Sequence, residues 1–112
     1  MDSPRPREDI LPLDVVVTWT PTLLSVVVEG EVDLSNAPVL RAKLAAIELN
    51  GQGTMLLDMH RLAFCDSNGG RLLLAFLNRA HNSGHRTTIR GATPIVQRLL
   101  TLLANGRQPT FA

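Results

Sequence analysis

Apolar residues along this chain change their spacing several times, and each change marks a structural element. Leu13 to Thr20 is rich in Val and Thr around Trp19, and Leu23 to Val28 repeats that character after the turn Pro21-Thr22. Two such runs across a short turn predict an antiparallel hairpin, its second arm continuing through Glu29-Gly30-Glu31-Val32-Asp33. At Asp33-Leu34-Ser35-Asn36-Ala37-Pro38 small polar residues precede a proline, which predicts a helix start. Leu40, Leu44 and Ile47 then make an apolar stripe, with Arg41, Lys43 and Glu48 facing water, and Asn50-Gly51 stops it.

Thr54 to Met59 is a short apolar run of the kind that forms a buried strand. Leu62-Ala63-Phe64-Cys65 reads as a small apolar turn leading to Asp66-Ser67-Asn68-Gly69-Gly70. Leu72, Leu73, Phe76, Leu77 and Ala80 recur at helical spacing, predicting a helix from Ser67 to about Asn82 that Ser83-Gly84 ends. His85 to Arg90 reads as a short polar strand. Thr93-Pro94 opens a third helix whose buried side is Ile95, Val96, Leu99, Leu100 and Leu103. Gln108 to Ala112 adds at most one brief edge strand. The order β-β-α-β-α-β-α(-β) defines an α/β fold, a mixed sheet of four or five strands with helices packed on it. Residues 1–11, charged and proline-bearing, read as a flexible tail, leaving residues 12–112 as a single domain.

Composition removes several functions. At 112 residues, 45% hydrophobic and 19% charged, the chain suits one ordinary globular core. A net charge of +1 gives no general attraction to nucleic acid or to an anionic membrane. With one Trp, three Phe and no Tyr there is no stacking platform for single strands. The one cysteine, Cys65, excludes an internal disulfide, and no apolar segment approaches spanning length, so the expected address is the cytoplasm.

The chemistry gathers where a strand hands over to the second helix. A helix start presents backbone N–H groups without partners and the positive end of its dipole. Asp66 or Ser67 can cap those donors, and a phosphoryl group would be tolerated there. Gly69 and Gly70 cost roughly 1 kcal/mol each of helix stability relative to alanine. Having no side chains, they would let another protein come close to the backbone. Strand-to-helix turns also use these residue types for capping alone. Cys65 reads either as a buried inert thiol or as an oxidation sensor. His81 and His85 are separated by Gly84 and share no helix face, and with only His60 and Cys65 in addition no metal site is expected. Ser67 lies in no Gly-x-Ser-x-Gly elbow and no phosphate loop is present, so neither a cofactor nor an enzyme activity is expected.

Three segments together carry a family resemblance: Glu29 to Pro38; Leu57-Asp58-Met59 followed by Phe64-Cys65-Asp66-Ser67-Asn68-Gly69; and Gly91 to Leu100. In order and separation they resemble STAS domains of the anti-sigma factor antagonist family. The resemblance implies a STAS-like sheet and a regulator of transcription that binds an anti-sigma factor of the serine-kinase type and so releases a sigma factor. In that family a Ser or Thr at the start of the second helix, directly before the glycine, is phosphorylated and binding stops. Here that position is Asn68, which has no hydroxyl. The switch is then lost, or moved to Ser67 or Thr93, or the domain only scaffolds. The resemblance implies a partner surface of Asp33, Ser35, Asn36, Asp66, Ser67, Asn68, Gly69, Gly70 and Arg71, continuing along the second helix toward Asn78. A homodimer, a STAS subunit of a lipid-transport ABC assembly and a stressosome-like scaffold are the other assemblies it allows.

Overall fold

The computed structural model describes residues 11–112; the predicted tail lies, but for Leu11, outside the described residues. Its elements in chain order are β1 (Asp14–Trp19), β2 (Leu23–Val32), α1 (Ala37–Ala45), β3 (Thr54–Asp58), β4 (Leu62–Cys65), α2 (Ser67–Asn82), β5 (Arg86–Arg90) and α3 (Pro94–Leu103). They form the mixed five-stranded sheet with three helices that the sequence predicts. The strand order is β1-β2-β3-β5, with β4 also paired to β2. β1 runs antiparallel to β2, whereas β3, β4 and β5 join in parallel.

The fifth strand is β4, where the sequence predicts a turn. Four residues give almost no periodicity, and β4 is held as a strand by a partner distant in sequence. β2 is ten residues long and is shared: Leu23 to Val27 pair with β3, and Gly30 to Val32 pair with β4 across an irregularity at Gly30/Glu31. At the C-terminus, where an edge strand is allowed, a single bridge joins Ile89 and Phe111.

Alternation along β2 is regular: Leu24, Val26, Val28 and Val32 are buried and their neighbours half-buried, as expected for a sheet covered on one face. Met55 and Leu57 of β3 and Ile89 of β5 continue the buried face. Onto it pack Leu40 and Leu44 of α1, Leu73, Phe76, Leu77 and Ala80 of α2, and Val96 and Leu100 of α3. Complete burial of one such side chain contributes about 1.5–3 kcal/mol. Ile95, predicted to be buried, is 83% exposed. Val96 and Leu100 set the inward face of α3, and a residue beside Pro94 at its start falls on the outward one. Ile47 is buried although α1 ends two residues earlier. The Arg79 guanidinium, lying over the Phe76 ring, donates to the Leu44 and Ile47 carbonyls there and ties α1 to α2. No helix among the described residues is long and apolar enough to cross a membrane.

Candidate functional site

The first turn of α2 is placed by β4. The Asp66 N–H donates to the Val32 carbonyl at 3.1 Å, so α2 starts beside the end of β2 and the loop that leads to α1. Asp66 is the N-cap: its Oδ1 accepts from the Gly69 N–H at 3.0 Å. Its Oδ2 accepts from the Asn68 amide at 3.4 Å. Of the two predicted caps, Asp66 fills the role and Ser67 is the first helical residue. Asp66, Ser67 and Asn68 are half-exposed, and Arg71, one turn on from Asn68, is exposed.

Gly69 and Gly70, expected on a contact surface, are buried in the chain's own fold. A Cβ on Gly69 would lie 2.5 Å from Val32 Cγ1 and 2.9 Å from Cys65 Sγ, and one on Gly70 would lie 2.7 Å from Leu103 Cδ1. The close approach that these glycines permit is made by the chain's own β2, β4 and α3. Their helix-propensity cost is offset by that packing.

On the neighbouring loop the polar side chains bond largely to one another. Asp33 Oδ1 accepts from the Ser35 N–H at 2.9 Å, and Asn36 Oδ1 from the Asp33 N–H at 3.0 Å. The Asn36 amide donates to the Glu31 carbonyl at 2.8 Å. Asn36 is the N-cap of α1 by position, yet its side chain ties back to β2 rather than forward to the helix. Asp33, Ser35 and Asn36 line a concavity of about 490 Å³ shared with Leu11, Pro12, Leu13 and Glu31.

A different groove, of about 300 Å³, runs between the starts of α1 and α2. Leu34, Ala37, Pro38, Arg41, Asn68, Arg71 and Leu72 line it. The structure therefore brings Asn68 and Arg71 together with Leu34 and Arg41, and leaves Asp33, Ser35 and Asn36 around the corner. Leu34, Arg41 and Leu72 escape sequence reasoning. The available signal was Leu34, an apolar residue inside a polar loop, which is 72% exposed. Asn78 is exposed ten residues beyond Asn68, about 15 Å along the helix. Thr93 caps α3, accepting from the Val96 N–H at 3.3 Å. Leu103, at the far end of α3 from Thr93, packs at Gly70.

Burial, and secondly the Asp66 carboxylate, push the Cys65 thiol up to about 12, so the helix start does not activate it. Asp58, buried at the end of β3, is held on the other side: its carboxylate meets the His60 N–H at 3.0 Å, the His60 ring and the Arg90 guanidinium at 2.8 Å. Burial opposes its charge, but those bonds outweigh it and hold the carboxyl below its ordinary 3.8. His85 is buried with Nε2 accepting from the Gly51 N–H at 3.0 Å, leaving Nδ1 to face the Gly53 carbonyl. Among the described residues no three His, Cys, Asp or Glu side chains gather as metal ligands do.

This is a small α/β domain with a capped, partly exposed helix start beside an apolar groove, and its known likenesses agree on its class. The family described as "Mlab, STAS domain" matches residues 15–107. The chain belongs to the STAS-domain family. Its fold is similar to that of the anti-sigma factor antagonist SpoIIAA in its unphosphorylated form, with a TM-score of 0.65 and 22% identity over 90% of this chain and 87% of that one. An anti-sigma factor antagonist from Mycobacterium paratuberculosis is similar at TM-score 0.67 and 21% identity, over 81% of this chain and 77% of that one. So is a part of the murine anion transporter Slc26a9, at TM-score 0.63 and 18% identity over 76% of this chain and 14% of the transporter. One fold thus serves proteins of different kinds, and function rests on the site.

Proposed function

We propose that this chain is an anti-sigma factor antagonist whose partner, an anti-sigma factor of the serine-kinase type, docks on the first turn of α2, with release of a sigma factor as the outcome. Residues 12–112 act as one domain, in the cytoplasm, by binding rather than by catalysis. The surface comprises Asp66, Ser67, Asn68 and Arg71, with Asp33, Ser35 and Asn36 at its margin and Gly69 and Gly70 as its buried support.

One observation carries this reading: the residue before Gly69 is half-exposed on a helix start fixed by Asp66, and it is an uncharged amide. A phosphoryl group on that residue would add about two negative charges against the Asp66 carboxylate and close the surface to a tightly packed partner. Asn68 accepts no phosphoryl group, so the surface stays permanently open. Ser67 is the remaining hydroxyl in the turn, whereas Thr93 belongs to the start of α3.

The test is incubation with candidate anti-sigma kinases and ATP, followed by mass spectrometry. The wild type stays unmodified and bound, and Asn68→Ser gains one phosphate and is released. Phosphate on wild-type Ser67 would replace the open-surface reading with a relocated switch. A kinase that neither binds the wild type nor modifies Asn68→Ser would remove it. The missing hydroxyl also favours a second reading without phosphorylation, a STAS subunit gripping a lipid-transport ABC assembly, which capture of an ABC ATPase in place of the kinase would support. Assembly into a large stressosome-like particle would indicate a scaffold.

A further inference from the structure

The groove beside Asn68 has two cations and no anion. Arg41 from α1 and Arg71 from α2 are exposed on its rim, and neither has a hydrogen bond or ion pair among the described residues. Arg79, by contrast, is consumed by the Leu44 and Ile47 carbonyls, Arg90 by Asp58 and Arg61 by Glu29. Between the rim arginines the lining is mostly apolar: Leu34, Ala37, Pro38 and Leu72. Leu34 stands 72% exposed, although the core absorbs most apolar side chains of the chain.

An exposed apolar residue over a small groove is ordinary by itself, and so is a surface arginine. Their combination restricts what fits. A bare phosphate would meet the arginines but leave the apolar floor wet, and a purely apolar segment would leave both cations without a counter-charge while partly desolvating them. A second copy of this chain turned about a two-fold axis through the groove would bring arginine against arginine. The matching occupant is a protein segment with an apolar side chain between carboxylates.

We propose that this groove receives such an acidic, amphipathic segment of the partner, its apolar side chain seated on Leu34 and Leu72 and its carboxylates on Arg41 and Arg71. The inference rests on the reading of the α2 start as a docking point, and it adds the chemistry of what docks. It also gives Asn68 a second consequence. A phosphorylated side chain at that position would offer the two arginines an anion within the molecule, whereas the neutral amide leaves them for the partner.

The test uses the full chain, isotope-labelled, titrated with a short synthetic peptide carrying leucine between two glutamates and with its glutamine counterpart. The acidic peptide is expected to move the amide signals of Leu34, Ala37, Asn68 and Leu72, and to bind about tenfold more tightly than the glutamine peptide, losing that advantage at high salt. Arg41→Glu with Arg71→Glu should transfer the preference to a peptide with lysines in place of the glutamates. Equal binding of the acidic and neutral peptides overturns the proposal. So do signal changes elsewhere on the surface, the same changes with inorganic phosphate alone, or changes on dilution that reveal a second copy in the groove. If a kinase partner binds but ignores the arginine reversals, this inference fails and the proposed function stands. If the peptide preference holds and no kinase binds, the reverse is true.

Discussion

Replacing Gly69 by alanine separates two explanations of the glycine pair by the sign of one number. If the glycine were there for an outside partner, alanine would restore helix propensity and stabilise the free protein by about 1 kcal/mol. The packing argues otherwise. The added Cβ would lie 2.5 Å from Val32 Cγ1, 3.0 Å from Val32 Cβ and 2.9 Å from Cys65 Sγ. Good contacts between such atoms lie at about 3.5–4.0 Å. Val32 is fully buried in β2, paired to Cys65 of β4, and its branched side chain has little rotamer freedom with which to retreat. Overpacking of this kind costs about 1–3 kcal/mol, and three short contacts place it in the upper half of that range. Subtracting the propensity gain leaves a net loss of about 1–2 kcal/mol.

Urea unfolding reads this directly. With a slope of about 2 kcal/mol per molar, the middle of the usual range for small domains, the midpoint should fall by about 0.5–1 M at unchanged slope. Val32→Ala should cost stability alone yet make Gly69→Ala neutral or favourable in its background, a coupling of about 1–2 kcal/mol. A Gly69→Ala protein as stable as wild type, or more so, refutes the assignment of this glycine to the chain's own packing.

Other consequences follow from the same contacts. Because the folded Asp58 carboxyl titrates below its unfolded value of 3.8, its ion cluster contributes stability that is present above that value and lost as pH falls through the folded one. Asp58→Asn should therefore lower stability near neutrality by about 1–2 kcal/mol, given that Arg90 is largely solvated. The gap from wild type should close as urea titrations move from about pH 5 toward pH 2, and a gap constant with pH would contradict the cluster. Cys65, raised to about 12 and buried, should react with iodoacetamide at pH 8 only as fast as the protein opens. Rapid alkylation of the native protein would return the thiol to the list of sensors.

Much of this architecture is legible because its longest signals are periodic. β2 alternates over ten residues and α2 repeats over sixteen, so both predict themselves, and Thr93-Pro94 announces α3. β4 does not, since its strand character comes from Gly30 to Val32, some thirty residues earlier. The glycine pair shows a second limit. A sequence reveals that something approaches the backbone closely, but Val32 and Leu103 become identifiable as the visitors only in three dimensions. The groove is a third case: Leu34, Arg41 and Leu72 lie on different segments, and the contact of α1 with α2 makes them one surface. Ile95 shows the reverse error, a hydrophobic residue assigned inward by type although the inward face of α3 belongs to Val96 and Leu100.

The most direct measurement is the affinity of a serine-kinase anti-sigma factor for the wild type and for Asn68→Asp, by calorimetry with and without ATP. Aspartate at a helix start is well tolerated, so the fold should survive, while its charge adds to that of Asp66 at the centre of the surface. Wild-type binding that ATP does not abolish is expected, with affinity at least tenfold weaker for Asn68→Asp. Equal affinity for the two proteins would mean that the charge at the start of α2 does not decide what binds there.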